Sequence, residues 1–174
     1  MRGVRLMAPK ELPVRPTTDM AKESLFNILG SRFDWEESSC LDLFSGTGNI
    51  ALELSSRGSH KVLAVDRHLK CCKYIDMVKE KYRLTSLEVL QSDVFKYLET
   101  CKEKFDLIFA DPPYDMPNLY RIPELVFNQQ LLLPEGMLVL EHSSMVQLDQ
   151  APFYQESRIY GSSAFSFFSN PAPL

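Results

Sequence analysis

Two glycines one residue apart, Gly46 and Gly48, follow an apolar run and stand before a stretch with a helical pattern. This order predicts a buried strand, a tight turn and the start of a helix. Glycine lets the backbone turn sharply and lets a ligand approach without meeting a Cβ atom. The first N–H groups of the helix and the positive end of its dipole would face that ligand. The stretch therefore indicates a site for a nucleotide-type ligand.

An acidic residue, Asp66, ends a second apolar run eighteen residues after Gly48. A carboxylate there can accept hydrogen bonds from both ribose hydroxyls of an adenosine. Nicotinamide and S-adenosylmethionine sites share this arrangement, and residues 46–51 also fit the G-x-G-x-x-G/A pattern of dinucleotide-binding folds. A strand-to-helix turn that binds no ligand is a further interpretation. These two stretches alone leave the alternatives open.

A tetrapeptide, Asp111-Pro112-Pro113-Tyr114, directly follows another apolar run over residues 105–110. It resembles the [DN]-P-P-[YF] motif of the S-adenosylmethionine-dependent methyltransferases that modify exocyclic amino groups. The combination of a glycine turn after the first strand, an acid after the second and this tetrapeptide after the fourth is specific, although each part alone is weak. A nicotinamide enzyme has no evident use for the tetrapeptide. An ordinary rigid turn is the remaining alternative for it.

The methyltransferase resemblance implies a catalytic role for all four residues of the tetrapeptide. The exocyclic amino nitrogen of a nucleobase is a weak nucleophile because its lone pair is delocalised into the ring. Asp111 and the Pro112 carbonyl would accept its N–H groups, and two prolines would fix that backbone without adding a competing N–H. Tyr114 would offer a flat face on which a flipped-out base stacks. Asp111 would also take the proton released after methyl transfer.

The residues expected to bind the cofactor follow the first three strands. Asp42 would meet the positive amino-acid portion of S-adenosylmethionine, directly or through water, and Asp66 would hold the ribose. Asp93 would accept from the adenine amino group, with helix N-capping as the competing role for its carboxylate, and Val94 would lie against the ring. The turn after the first strand would contribute Phe44, Ser45, Gly46 and Gly48.

The N-terminal third narrows the resemblance to one family. Arg15-Pro16-Thr17-Thr18-Asp19 and residues 23–29 look like the signature of the RsmD family, whose members methylate the N2 amino group of a guanine in bacterial small-subunit (16S) ribosomal RNA. Residues 41–48, 56–58 and 111–114 match that family as well. The resemblance therefore covers nearly the whole chain.

The position of the Arg-Pro-Thr-Thr segment in that family is near the cofactor and substrate cleft. This implies substrate-binding roles for Arg15, Thr17 and Thr18, together with Tyr114. The family usually begins with a longer basic β-hairpin, whereas only residues 1–13 precede the signature here. We therefore expect residues 1–16 to form a short basic arm, and the shortening would affect RNA affinity more than cofactor binding.

The elements that must position these residues alternate between strands and helices, which predicts an α/β fold of the Rossmann-like class I methyltransferase type. We expect a mainly parallel seven-stranded sheet with helices on both faces and an antiparallel terminal hairpin. Predicted helices cover residues 20–29, 47–57 and 68–82, a segment capped by Ser92-Asp93, and residues 122–132. The first predicted strand begins at Cys40. The other six cover residues 61–66, 87–91, 105–110, 137–141, 155–160 and 164–169. A turn is predicted at residues 134–136, before the fifth strand.

The composition is that of an ordinary globular protein, with 174 residues, 45% of them apolar and 24% charged. These values predict one methyltransferase domain over residues 1–174, most simply a monomer. No apolar run approaches about 20 residues and no signal-peptide pattern is present, so we expect a cytoplasmic protein without a membrane contact. Four cysteines without a C-x-x-C pair are expected to be reduced, and three scattered histidines suggest no metal site.

Charge is distributed unevenly along the chain. The formal net charge is −4, but residues 1–33 carry +3, which leaves −7 for the rest. A polyanionic partner, here ribosomal RNA or the assembling small ribosomal subunit, would therefore be met mainly by the N-terminal end. A mildly basic, solvated arm without a partner explains the same charges.

Three alternative functions remain open at this point. An adenine-N6 methyltransferase acting on DNA or RNA uses a similar tetrapeptide, but the DNA enzymes usually carry a separate target-recognition domain, for which 174 residues leave little room. A NAD-dependent oxidoreductase would share the glycine turn. An RNA-binding module without turnover would keep the cofactor pocket, but the presence of Asp111 and Tyr114 does not support it.

Overall fold

The computed structural model describes residues 19–170, which form a seven-stranded sheet covered by helices on both faces. The strands are β1 Ser39–Leu43, β2 Lys61–Asp66, β3 Leu87–Gln91, β4 Phe105–Ala110, β5 Leu132–Ser143, β6 Tyr154–Tyr160 and β7 Ser163–Ser169. The helices are α1 Asp19–Gly30, α2 Asn49–Ser56, α3 Leu69–Tyr82, α4 Val94–Thr100 and α5 Arg121–Asn128, with a 3₁₀ turn at Trp35–Glu37.

The strand order in the sheet is β3-β2-β1-β4-β5-β7-β6. Strands β1 to β5 pair in parallel, whereas β7 pairs antiparallel with both β5 and β6. The predicted mainly parallel sheet and its antiparallel terminal hairpin are therefore confirmed. The strand order reverses between β1 and β4, and in open α/β sheets a crevice forms at such a point beyond the carboxyl ends of the strands.

The helices divide into two layers because the central strands are buried on both faces. Leu25 of α1 and Ile75 of α3 belong to one apolar cluster with residues of α2, whereas Leu98 of α4 and Ile122 of α5 belong to the cluster on the opposite face. Each such fully buried side chain contributes about 1.5–3 kcal/mol to folding through the hydrophobic effect. None of the helices within residues 19–170 is both long and apolar enough to cross a membrane.

The segment after α5 differs from the prediction. The predicted helix over residues 122–132 ends at Asn128, because Gln130 adopts a positive φ of 53° and the N–H of Leu131 donates to the carbonyl of Val126. The predicted turn at residues 134–136 was also wrong. These residues form an irregularity inside β5, which already begins at Leu132 opposite Phe105 of β4.

Candidate active site

Three aspartates meet at the carboxyl edge of the sheet, on the face covered by α1, α2 and α3. The strand register places Asp42 level with Ala64 of β2 and Phe109 of β4. Asp66 stands two residues beyond Ala64, and Asp111 stands two residues beyond Phe109. Because residues two apart on a strand share a face, the two outer carboxyl groups flank Asp42 from the neighbouring strands.

These acids line a cavity of about 460 Å³, which also contains the Asp-Pro-Pro-Tyr segment and Glu141 from the end of β5. The cavity contains nearly all the described residues that the sequence predicted to act on a cofactor or substrate: Asp42, Phe44, Ser45, Gly46, Asp66, Asp93, Val94, Asp111, Pro112, Pro113 and Tyr114. Arg15, Thr17, Thr18 and the arm over residues 1–16 lie outside the described residues. No cluster of three or more metal-ligating side chains occurs within residues 19–170.

Asp42 is a nearly fully buried acid at the base of this cavity, with 2% of its surface exposed. Its Oδ2 accepts a hydrogen bond of 3.0 Å from the backbone N–H of Ala51 in α2. Burial raises the pKa of the Asp42 carboxyl to about 7, and the negative charge of Asp66 adds to the rise. A positively charged group bound beside Asp42 would favour the ionised carboxylate, so this residue fits a cationic ligand.

Asp66 joins the end of β2 to the glycine turn. Its Oδ2 accepts from the N–H of Gly46 at 2.8 Å, and its Oδ1 accepts from the N–H of His68 at 2.8 Å. Each carboxylate oxygen has a second lone pair, so these bonds leave acceptor capacity for a ligand hydroxyl. Only 7% of the Asp66 surface is exposed, and that residue lines the cavity.

The glycine turn has the backbone conformation that the sequence predicted. Gly46 and Gly48 have φ values of 53° and 74°, in the left-handed region that favours glycine. Gly48 is not among the residues that line the cavity, whereas its neighbours Thr47 and Asn49 are. A Cβ atom on Gly48 would lie 2.7 Å from Cγ1 of Ile75 in α3. The missing Cβ at Gly48 therefore lets α2 pack closely against α3, and the predicted cofactor contact of Gly48 stays a prediction.

Asp93 caps α4 and also lines the cavity. Its Oδ1 accepts from the backbone N–H groups of Phe95 and Lys96, at 3.0 and 3.1 Å. Both bonds go to the same oxygen, so capping and a ligand contact through Oδ2 are compatible. Val94 is buried at the cavity wall, and the ring of Phe95 packs edge-on against Phe44, with 6.3 Å between the centroids. These residues form an apolar slot beside the exposed Asp93 carboxylate.

The Asp-Pro-Pro-Tyr segment is held to the sheet at both ends. The backbone N–H of Asp111 donates to the carbonyl of Leu43 at the end of β1, over 3.3 Å, and the carbonyl of Pro113 accepts from Met116 over 2.9 Å. The hydroxyl of Tyr114 forms a hydrogen bond with the Ser163 hydroxyl at the start of β7. Asp111 and Tyr114 are both half-buried at the cavity wall. The structure therefore places the acid and the aromatic ring beside the acids expected to bind the cofactor.

Lys22 and Asn49 form a contact that the sequence analysis missed. Lys22 Nζ of α1 donates to Oδ1 of Asn49 at 2.7 Å and lies 3.4 Å from a carboxylate oxygen of Glu53. Asn49 is the first residue of α2 and lines the cavity. The two residues are 27 positions apart, so the only local signal was a polar side chain directly after the second glycine.

The strand order and the glycine turn at its reversal point together define a Rossmann-like class I methyltransferase fold. A solved structure of the Thermus thermophilus 16S rRNA N2 G1207 methyltransferase RsmC, in complex with AdoMet and guanosine, shares this fold. It superimposes with a TM-score of 0.75 at 22% identity, over 93% of this chain and 45% of that chain.

Within that class the chain belongs to the RsmD family of ribosomal RNA methyltransferases. The family model described as "Conserved hypothetical protein 95" matches residues 1–169. The "Putative rRNA methyltransferase YlbH" of Bacillus subtilis (strain 168) is 34% identical over 153 residues, which cover 86% of this chain and 82% of YlbH. The "Ribosomal RNA small subunit methyltransferase D" of Escherichia coli (strain K12) is 26% identical over 140 residues, covering 80% of this chain and 70% of that protein.

Proposed function

We propose that this protein transfers a methyl group from S-adenosylmethionine to the N2 amino group of a guanine in small-subunit ribosomal RNA. The observation that carries the proposal is the shared cavity, in which Asp111 and Tyr114 lie beside Asp42 and Asp66. The name of the Escherichia coli relative supports the small ribosomal subunit as the source of the RNA. The family resemblance supports the guanine N2 position.

The cofactor portion of the proposal rests on the chemistry of the cavity wall. S-adenosylmethionine supplies a methyl group made electrophilic by a positively charged sulfur. Asp42 would pair with the positive amino-acid end of the cofactor, and Asp66 would accept from the ribose hydroxyls. Asp93 would accept from the adenine amino group, and Val94 and Phe95, which line the cavity beside it, would contact the adenine ring. A buried acid with a raised pKa fits this cationic ligand better than a nicotinamide dinucleotide, whose pyrophosphate is negatively charged.

The substrate portion rests on Asp111, Pro112 and Tyr114. Asp111 and the carbonyl of Pro112 would accept hydrogen bonds from the guanine amino group and direct its nitrogen lone pair at the methyl group. The ring of Tyr114 would stack on the flipped-out base, a contact of about 1–3 kcal/mol in single-strand binders. After transfer, a carboxylate oxygen of Asp111 would take the proton that leaves the nitrogen. Positioning of the two reactants would then supply much of the rate acceleration.

The decisive experiment is transfer of a labelled methyl group from S-adenosylmethionine to small-subunit ribosomal RNA from cells that lack this modification. Digestion of the product RNA and chromatography of the nucleosides identify the labelled base. The proposal expects N2-methylguanosine. Label in N6-methyladenosine would show instead that the protein is an adenine-N6 methyltransferase. Absence of transfer to naked RNA and to small-subunit particles, together with NADH binding seen by fluorescence, would overturn the proposal in favour of an oxidoreductase.

A further inference from the structure

The terminal hairpin forms a hydrogen bond with Tyr114, a residue of the cavity wall. The phenol hydroxyl of Tyr114 is hydrogen-bonded to Oγ of Ser163, which lies 49 positions later in the chain. Ser163 is the first residue of β7 and is 8% exposed, whereas Tyr114 is half-buried at the cavity. The [DN]-P-P-[YF] motif requires only a flat aromatic ring at this position, which either tyrosine or phenylalanine provides. The hydroxyl of that ring is thus used in a long-range contact that a phenylalanine could not make.

Ser163 is itself held firmly in the sheet. In the strand register it stands between Ser143 of β5 and Tyr160 of β6. The hydroxyl of Tyr160 is in turn hydrogen-bonded, over 2.5 Å, to Ser24 of α1. The anchor for Tyr114 is therefore a strand end that is paired on both sides.

The orientation of the Tyr114 ring matters because its face defines the plane of a base stacked on it. A rotated ring would tilt the base and move its amino nitrogen away from the Asp111 carboxylate. Holding the reacting groups in line is where an enzyme of this kind gains much of its rate. A second attachment at the far end of the ring restricts rotation that the two side-chain torsions of tyrosine would otherwise allow.

We propose that Ser163 is a positioning residue for methyl transfer, which acts by fixing the ring of Tyr114 through its hydroxyl. The inference rests on the proposed function, because the orientation of the ring matters only if a base stacks on it. It assigns a functional role to the start of β7, outside the tetrapeptide and the glycine turn. Its effect should appear in the rate of methyl transfer and leave cofactor affinity unchanged.

Two substitutions remove the same hydrogen bond from opposite ends. Ser163→Ala and Tyr114→Phe should each lower the maximal single-turnover rate by about five- to tenfold, the range expected for one hydrogen bond in the transition state. The double variant should be no slower than either single variant, because the bond can be lost only once. Ser163→Thr keeps a hydroxyl at the same position and should restore most of the rate.

The measurement is a single-turnover assay at saturating cofactor over a range of RNA concentrations. Ser157→Ala on β6 is the matched control, since it removes another hairpin hydroxyl that bonds Ser166 and Tyr154 and does not contact Tyr114. Thermal melting verifies that each variant is folded, and Tyr114→Phe tests the bond without changing the sheet. The RNA concentration for half-maximal rate should change little.

The outcomes separate this inference from the proposed function. Normal rates in both Tyr114→Phe and Ser163→Ala, with an active wild-type protein, would overturn the positioning role and leave the methyltransferase proposal intact. A further rate loss when the two changes are combined would equally overturn it, because Ser163 would then act by another route. A wild-type protein that methylates no ribosomal RNA would overturn both.

Discussion

The Oδ2 atom of Asp66 accepts a hydrogen bond from the backbone N–H of Gly46, over 2.8 Å. This contact links the acid at the end of β2 to the turn after β1, so the two sequence features that indicate a nucleotide ligand form one structural unit. The other carboxylate oxygen of Asp66 accepts from His68 at the start of α3. Asp66 therefore has a structural role in addition to the ribose contact we propose.

Substitution of Asp66 should weaken cofactor binding. Asp66→Ala removes the ribose acceptor, and the loss of hydrogen bonds to a charged group predicts an effect of about 1.5–3 kcal/mol, or roughly 10- to 100-fold in affinity. Calorimetric titration with S-adenosylmethionine and with its demethylated product measures this. Asp66→Ala should also melt at lower temperature, since two backbone N–H groups lose their acceptor.

The matched control for Asp66 is Asp76→Asn, which removes a negative charge from the exposed surface of α3. It should leave both affinity and melting temperature nearly unchanged. Unaltered affinity in a folded Asp66→Ala protein would exclude this residue from the cofactor site.

Cofactor affinity should depend on pH through Asp42. Its pKa is raised to about 7 by burial and by Asp66, and pairing with a cationic amino group requires the ionised form. Lowering the pH from about 7.5 to about 5.5 should therefore weaken binding by about 20-fold, while an amino group remains largely protonated. Asp42→Asn should bind more weakly and show a flat profile. A dependence that persists in Asp42→Asn would show that Asp42 is not the titrating group.

The stability of the cofactor-free protein should change with pH in the opposite direction. The pKa of Asp42 in the folded protein is about 7, whereas an ordinary aspartate in the unfolded chain has a pKa of about 3.9. Between these two values the native protein holds a proton on Asp42 that the unfolded chain has released. The contribution of this group to stability is thus full below about pH 4 and declines as the pH rises to about 7. Urea unfolding of wild-type protein and Asp42→Asn across this range should show that the substitution removes this decline.

Gly48 should be the most sensitive of three glycines to alanine. Gly48→Ala combines a φ of +74° with a Cβ atom 2.7 Å from Ile75, and strain and overpacking together predict a loss of about 2–4 kcal/mol. Gly161→Ala has a φ of +63° but open space around the new atom, so about 1 kcal/mol is expected. Gly30→Ala has neither problem and should be neutral or slightly stabilising. Equal effects at Gly48 and Gly161 would show that contact with Ile75 contributes nothing.

Sequence patterns predicted the parts of the site that depend on neighbouring residues. Asp42 is the penultimate residue of β1, Asp66 ends β2 and Asp111 directly follows β4. Parallel pairing brings such strand ends together without further information. The Tyr114–Ser163 and Lys22–Asn49 contacts were not predictable in this way. The two partners are separated by 49 positions in the first contact and by 27 positions in the second. Both contacts depend on where the hairpin and α1 pack against the sheet.

The start of β5 was mispredicted for a related reason. Residues 134–136 carry the Pro-Glu-Gly sequence of a turn, and Glu135 does adopt a positive φ of 62°. The strand nevertheless continues through them because Leu132 pairs with Phe105 of β4, a contact that depends on tertiary structure. A Cβ atom on Gly136 would lie 2.8 Å from the carbonyl oxygen of Leu133, which explains why glycine is needed inside this irregular strand.

The N-terminal arm should dominate RNA binding although the protein is acidic overall. Arg2, Arg5 and Lys10 lie in the basic stretch of the sequence, outside the described residues. Replacing all three with alanine should weaken binding to any RNA sequence and reduce the slope of log affinity against log salt by about 0.7–0.9 per lost phosphate contact. Filter binding at several salt concentrations measures the slope. An unchanged slope would show that the arm does not contact phosphate.

The final prediction concerns Asp111, which should act on the base and scarcely on the cofactor. Asp111→Ala removes the acceptor that orients the amino group and takes its proton, so the single-turnover rate should fall by about 100-fold or more, the usual scale for a positioned acid–base group. Asp111→Asn keeps an acceptor oxygen but cannot take the proton, and it should recover only part of the rate. Affinity for S-adenosylmethionine should be nearly that of the wild type in both variants.

The alternative for Asp111 is a structural role, since its backbone N–H is bonded to Leu43 at the end of β1. That bond comes from the main chain and survives both substitutions. A structural role predicts a lower melting temperature with a near-normal rate in the fraction that remains folded. A catalytic role predicts near-normal melting with a slow rate at saturating cofactor and RNA. Normal methylation by a folded Asp111→Ala protein would contradict the proposed mechanism, because that mechanism assigns both the orientation of the amino group and the acceptance of its proton to the Asp111 carboxylate.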